Sequence, residues 1–172
     1  MKLATFMAVP VIVASSMLAI GTANADENSG LYSGVNVSNN IVHKSGASKH
    51  RKTGVGAFVG YKYAPWFATE LTYDDYGHFQ YPNKHYTRTK TYGLSLIPQL
   101  PLGGGVSVFA RGGYDYVQSD LHLRHWAPVA GAGISYQPST TVPVFARVEY
   151  DRVFVNHNFK LDSTKLSVGV QF

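Results

Sequence analysis

The sequence predicts an all-β fold, an eight-stranded antiparallel up-and-down transmembrane β-barrel. Three observations carry this. From residue 31 onward the apolar residues recur with a period of two, which is the strand period. Eight such runs are separated alternately by short breaks and longer polar stretches, the organisation of an up-and-down membrane barrel. One face of the runs is free of charge along its middle, while the opposite face collects the charged side chains.

Residues 1–25 read as a secretory signal peptide that is cleaved off. Lys2 gives a positive start, and Leu3 to Gly21 is apolar apart from Thr5, Ser15 and Ser16. Ala23-Asn24-Ala25 then places small residues at the −3 and −1 positions of a signal peptidase site. Cleavage after Ala25 leaves a single barrel domain over residues 26–172, of single-domain length. Loss of Lys2 leaves 14 basic and 10 acidic side chains, a mild excess whose placement matters more than its size. There is no cysteine, so disulfides and thiol chemistry are excluded. No later run of 18 apolar residues occurs, which excludes a helical span in the mature chain. Twelve tyrosines and nine phenylalanines favour sheet.

The runs cover roughly 31–39, 53–63, 67–77, 87–97, 106–118, 127–137, 143–154 and 163–172. The short breaks are Ala64-Pro65-Trp66, Pro98 to Gly105 and Pro138 to Val142. One strand phase reads Val35, Val37, Val55, Ala57, Val59, Leu71, Leu94, Leu96, Val108, Ala110, Ala132, Ile134, Val148, Leu166, Val168 and Val170. The other holds Asn36, Ser38, Lys62, Glu70, Thr72, Asp74, Arg111, Asp115, Ser135, Arg147, Glu149, Asp151, Ser167 and Gln171. A charge facing hydrocarbon at the midplane costs about 2–4 kcal/mol, so the charge-free phase is assigned to lipid and the charged phase to the lumen. Glycines 54, 56, 60, 93, 131, 133 and 169 share the lumen phase and leave too little apolar volume for the core of a soluble barrel. Asp75, Arg88, Lys90 and Arg152 break the outward phase, each at a strand end beside a long loop. Tyr73, Tyr92, Tyr116 and Tyr150 fall near that rim, and Tyr61, Tyr63, Phe67 and Tyr136 near the other, as two interfacial belts.

Several segments resemble the transmembrane domain of the outer membrane protein A family. Gly60-Tyr61-Lys62-Tyr63-Ala64-Pro65-Trp66, continuing to Glu70-Leu71-Thr72-Tyr73-Asp74, is similar to its second hairpin. Phe109-Ala110-Arg111-Gly112-Gly113 is similar to its fifth strand. Ala127-Pro128-Val129-Ala130-Gly131-Ala132-Gly133 and Ala146-Arg147-Val148-Glu149-Tyr150 are similar to strands six and seven. The ending Leu166 to Phe172 resembles the closing strand, and the resemblance implies that Phe172 is read by the barrel-assembly machinery during insertion. It also implies a central ion pair between Glu70 and Arg147. Three departures stand out: Ser135 replaces an interior glutamate on strand six, no lysine stands at the matching place on strand four, and no periplasmic peptidoglycan-binding domain is expected after Phe172.

The lumen of an eight-stranded barrel is just wide enough for its own side chains to fill it. Glu70, Asp74, Asp115, Glu149 and Asp151 can pair there with Lys62, Arg111 and Arg147. The bland reading of this network is neutralisation of buried charge; the alternative is a small porin with a narrow, ion-pair-gated pore. Lys44, Lys49, Arg51, Lys52, Lys84, Arg88, Lys90 and Arg124 are assigned to the long extracellular loops, at the height of lipopolysaccharide phosphates, which Lys and Arg bind well. The seven histidines, His43, His50, His78, His85, His122, His125 and His157, also fall in or beside these loops. They match no ligand motif, and neither a metal nor a cofactor is expected. An enzyme, such as a lipid A-modifying one or a protease, needs a nucleophile, a base and an orienting group together; Ser135 has no inward histidine near it, so none is expected. The sequence thus points to an integral outer-membrane protein with a structural or surface-interaction role. Its expected partners are outer-membrane lipid, lipopolysaccharide and a host or envelope protein, and not nucleic acid.

Overall fold

The computed structural model of the chain describes residues 29–44, 50–80, 86–119, 124–138, 143–156 and 159–172. They form eight strands: β1 (Gly30–Lys44), β2 (His50–Ala64), β3 (Phe67–Gln80), β4 (Tyr86–Gly103), β5 (Val106–Ser119), β6 (Arg124–Tyr136), β7 (Val144–Asn156) and β8 (Phe159–Gln171). Each pairs antiparallel with its neighbours in sequence, and β8 closes onto β1. Closure leaves no strand edge, and every ladder hydrogen bond is made within the barrel, which is the condition for crossing a bilayer on strands. The seam runs from Tyr32↔Gln171 to Lys44↔Phe159.

The strands run further toward the long-loop end than their periodicity indicates, because alternation fades at the rim while the ladder continues. At the other end, the break read at Pro98 to Gly105 is shorter than read, confined to its last three residues. β4 continues through Pro98 and Pro101 to Gly103. Proline's fixed φ suits extended backbone and removes only a donor. The reversal is made by Gly103, Gly104 and Gly105, at φ of 93°, 61° and 78°, where a Cβ would be strained.

The two faces are as the alternation indicates. Leu71, Leu94, Val148 and Val168 point outward, Val168 with 56% of its surface exposed, whereas Glu70 on the opposite phase is 1% exposed. An outward arginine would have to sit in hydrocarbon. Val59→Arg or Val168→Arg is therefore expected to lower the unfolding free energy in lipid vesicles by about 2–4 kcal/mol. Denaturant titration checks this, and tolerance of both changes would mean that the faces are reversed. Asp75 is buried although it keeps its outward parity, opposite the exposed Val55; the β3–β4 register slips only beyond it, between Asp75 and His78. The aromatic belts form contacts of their own, Tyr73 with Tyr92 at 5.2 Å and Tyr116 with Trp126 at 5.3 Å between centroids. At the turn end Tyr61 meets Tyr63 at 4.9 Å.

The lumen is not uniformly polar. Apolar side chains cluster toward both ends, with Tyr32, Phe58, Ala68, Ile97, Phe109 and the half-buried Phe145 toward the short turns. Tyr76, Val117, Ala127, Val129, Val153 and Leu161 pack toward the long loops. The lumen glycines, read from sequence as missing volume, are instead seats for large groups from neighbouring strands. A Cβ on Gly34 would strike the Phe58 ring, on Gly60 the Tyr32 ring, on Gly133 the Phe109 ring and on Gly169 the Phe145 ring. On Gly56, Gly93 and Gly131 it would strike the carboxylates of Asp74, Asp115 and Asp151. Pairing nothing with something large is how a narrow barrel reaches interior packing density.

Candidate functional site: the charged middle of the lumen

Between the two apolar layers lies a band of charged side chains from four strands, β3, β5, β7 and β8. Its lower part is centred on Glu70 of β3 and Arg147 of β7. The guanidinium donates from Nη1 to Glu70 Oε2 at 2.7 Å and from Nη2 to Glu70 Oε1 at 2.8 Å, a bidentate fork. Tyr32 Oη donates to the same Oε2 at 3.1 Å. Arg147 Cζ lies 4.1 Å from the Phe58 ring centroid and 5.6 Å from that of Phe109, so the cation rests on the aromatic layer. Its Nε is 3.7 Å from Glu149.

The upper part is held by two cations. Arg111 of β5 donates through Nη1 to Asp151 Oδ2 at 2.8 Å, through Nε to Ser95 Oγ at 2.9 Å and through Nη2 to Thr72 Oγ1 at 3.1 Å. Asp115 and Glu149 each lie 3.5 Å from it. Lys165 of β8 reaches Asp74 Oδ2 at 2.7 Å and Asp151 Oδ2 at 3.0 Å. Asn36 Nδ2 donates to Asp74 Oδ1 at 3.0 Å. All these side chains are almost wholly buried, so each charge depends on its partners rather than on water.

Of the residues expected in the network, Glu70, Asp74, Asp115, Glu149, Asp151, Arg111 and Arg147 are brought together. Lys62 is half-buried near the turn end, opposite Gly30 in the ladder. Sequence reasoning missed Lys165. Its signal was present, since it shares parity with Ser163 and Ser167, both buried in the lumen. Ser135 is half-buried, and its ladder partners are Ser107 and Arg147.

The basic residues assigned to loops lie differently. Lys44, Arg51, Lys52, Arg88, Lys90 and Arg124 are on the loop ends of β1, β2, β4 and β6, so the strands lift them beyond the aromatic belt. Lys49 and Lys84 lie outside the described residues, as do His85, His122 and His157, while His43, His50, His78 and His125 are on strands. Among the described residues no three His, Asp or Glu side chains gather in a metal-holding cluster. At the same rim Arg152 is committed to Asp162, from Nε at 2.6 Å and from Nη2 at 2.9 Å. Phe172 closes the seam, its N–H donating to Leu31 O at 2.7 Å.

The fold is shared with known barrels. Neisserial surface protein A superposes with a TM-score of 0.66 at 16% identity, over 83% of this chain and 97% of that one. The attachment invasion locus protein Ail of Yersinia pestis, solved with the heparin analogue sucrose octasulfate, gives 0.59 at 14% identity, over 84% and 99%. The N-terminal β-barrel domain of Pseudomonas aeruginosa OprF gives 0.55 at 18% identity, over 81% and 97%. No curated protein matches the sequence. The OmpA-like transmembrane domain matches residues 25–170, and with its closed eight-stranded barrel the chain belongs to that family of integral outer-membrane proteins.

Proposed function

We propose that the barrel is an anchor that carries four basic, histidine-containing loops to the cell surface, where they contact an anionic glycan or lipid. Lipopolysaccharide is the partner nearest at hand, and a host surface polyanion is the other. The observation that carries this reading is the polarity of charge along the barrel. Lys44, Arg51, Lys52, Arg88, Lys90 and Arg124 stand at the loop ends of their strands, whereas Lys62 is the one cation near the turn end among the described residues. Membrane barrels expose their long loops to the exterior and their short turns to the periplasm, which sets these cations against the phosphates of the outer leaflet. That Ail, a barrel of the same fold, was solved with a polysulfated ligand supports the same chemistry. Signal cleavage after Ala25 and recognition of Phe172 by the assembly machinery belong to this reading.

The test uses the chain from Asp26, refolded in detergent and titrated with lipopolysaccharide and with sucrose octasulfate. Lys49→Glu, Arg51→Glu and Lys52→Glu together are expected to weaken binding about ten-fold or more, with a steep dependence on salt. Unchanged binding of both probes would sink the reading. A narrow pore gated by Glu70 and Arg147 is the second reading, favoured by the charged lumen itself, and planar-bilayer conductance of the refolded protein separates the two.

A further inference from the structure

We infer that the aromatic layer at the turn end, and not the Glu70–Arg147 pair, closes the lumen to water and ions. The rings of Tyr32, Phe58 and Phe145 meet one another at centroid distances of 6.2, 5.9 and 6.1 Å. Phe109 enters from β5, and Ile97 and Ala68 fill the β3–β4 side. Each ring is pressed onto a glycine of a neighbouring strand, close enough that a Cβ there would strike it. The ion pair lies on top of this layer, with the Arg147 guanidinium over Phe58. Separating Glu70 from Arg147 rearranges polar groups above the rings. Tyr32 loses a hydrogen bond, but the Phe58 and Phe145 rings are held by their glycine seats and by each other. A constriction lined with apolar groups excludes water by dewetting, whatever the charges beside it do. The inference bears on the pore reading alone, so its failure leaves the loop reading untouched.

The layer is tested with a reporter placed just above it. The chain has no cysteine, so Ser167→Cys introduces a single thiol. On β8, Ser167 is one inward position on the loop side of Gly169, the seat of Phe145. Its hydroxyl has no hydrogen-bond partner among the described residues, so the exchange breaks no polar contact there. Refolded barrels in detergent are labelled with a small cationic methanethiosulfonate. With intact rings labelling is expected to be slow. Phe58→Ala with Phe145→Ala should accelerate it about ten-fold or more, because the apolar barrier is then breached. Phe58→Leu with Phe145→Leu keeps the apolar bulk and should stay slow. Glu70→Gln with intact rings should also stay slow. Folding is scored by the faster migration of unboiled barrels on a gel. If the double alanine variant does not fold, Phe145→Ala alone serves, since that ring is only half-buried. Fast labelling of the Glu70→Gln barrel, or slow labelling after the rings are cut back, overturns the inference.

Discussion

Glu70→Ala and Arg147→Ala are each expected to destabilise the barrel by about 3–5 kcal/mol, and the double change to recover part of that loss. The reason is asymmetry. Together the two charges satisfy each other through two bonds of 2.7 and 2.8 Å in a site that water scarcely reaches. Apart, each is a buried charge without its partner, a worse condition than having neither. The two single variants should not be equal. Glu70→Ala also leaves Tyr32 Oη without its acceptor, but Arg147 keeps Glu149 at 3.7 Å and the Phe58 ring beneath it. Arg147→Ala leaves Glu70 and Glu149 together with no guanidinium between them and removes the cation from the ring, so it should cost more. Urea titration of the four members of the cycle, in detergent, measures the coupling. Absence of coupling would mean that the two side chains do not meet.

Lys165→Met is expected to match the larger of those losses, about 3–5 kcal/mol, although methionine fills nearly the same volume. In the ionic band five carboxylates, Glu70, Asp74, Asp115, Glu149 and Asp151, face three cations, Arg111, Arg147 and Lys165. Lys165 lies between two of the carboxylates, at 2.7 and 3.0 Å, so its removal raises the excess negative charge from two to three where screening is weakest. Asp74→Asn placed on the Lys165→Met background should restore part of the stability, because it removes one of the exposed repulsions while keeping the Asn36 contact. Val168→Arg, on the outer face of the same strand, is the comparison for a charge placed in lipid. If Lys165→Met proves neutral, the amine does not bridge the two aspartates.

Most of the architecture was legible before any coordinates. Period-two alternation marks the eight strands, and parity alone separates Val168 from Ser167, or Leu71 from Glu70, because successive side chains must point to opposite faces. Hydrocarbon then forbids charge on one face, which tells lipid from lumen. Lys165 was legible by the same rule and was overlooked, whereas the burial of Asp75, which keeps its outward parity opposite Val55, is not a matter of parity. What tertiary structure decided is the level at which each inward group sits. Strands tilt and stagger around a barrel, so sequence position does not say which residues of different strands share a layer. Glu70 and Arg147, 77 residues apart, meet because closure brings β3 and β7 across a narrow lumen. The same stagger sets Phe58 against Gly34 and Asp151 against Gly131. Alternation shows that these glycines face inward, and only the closed barrel shows that each is the space another strand's side chain occupies.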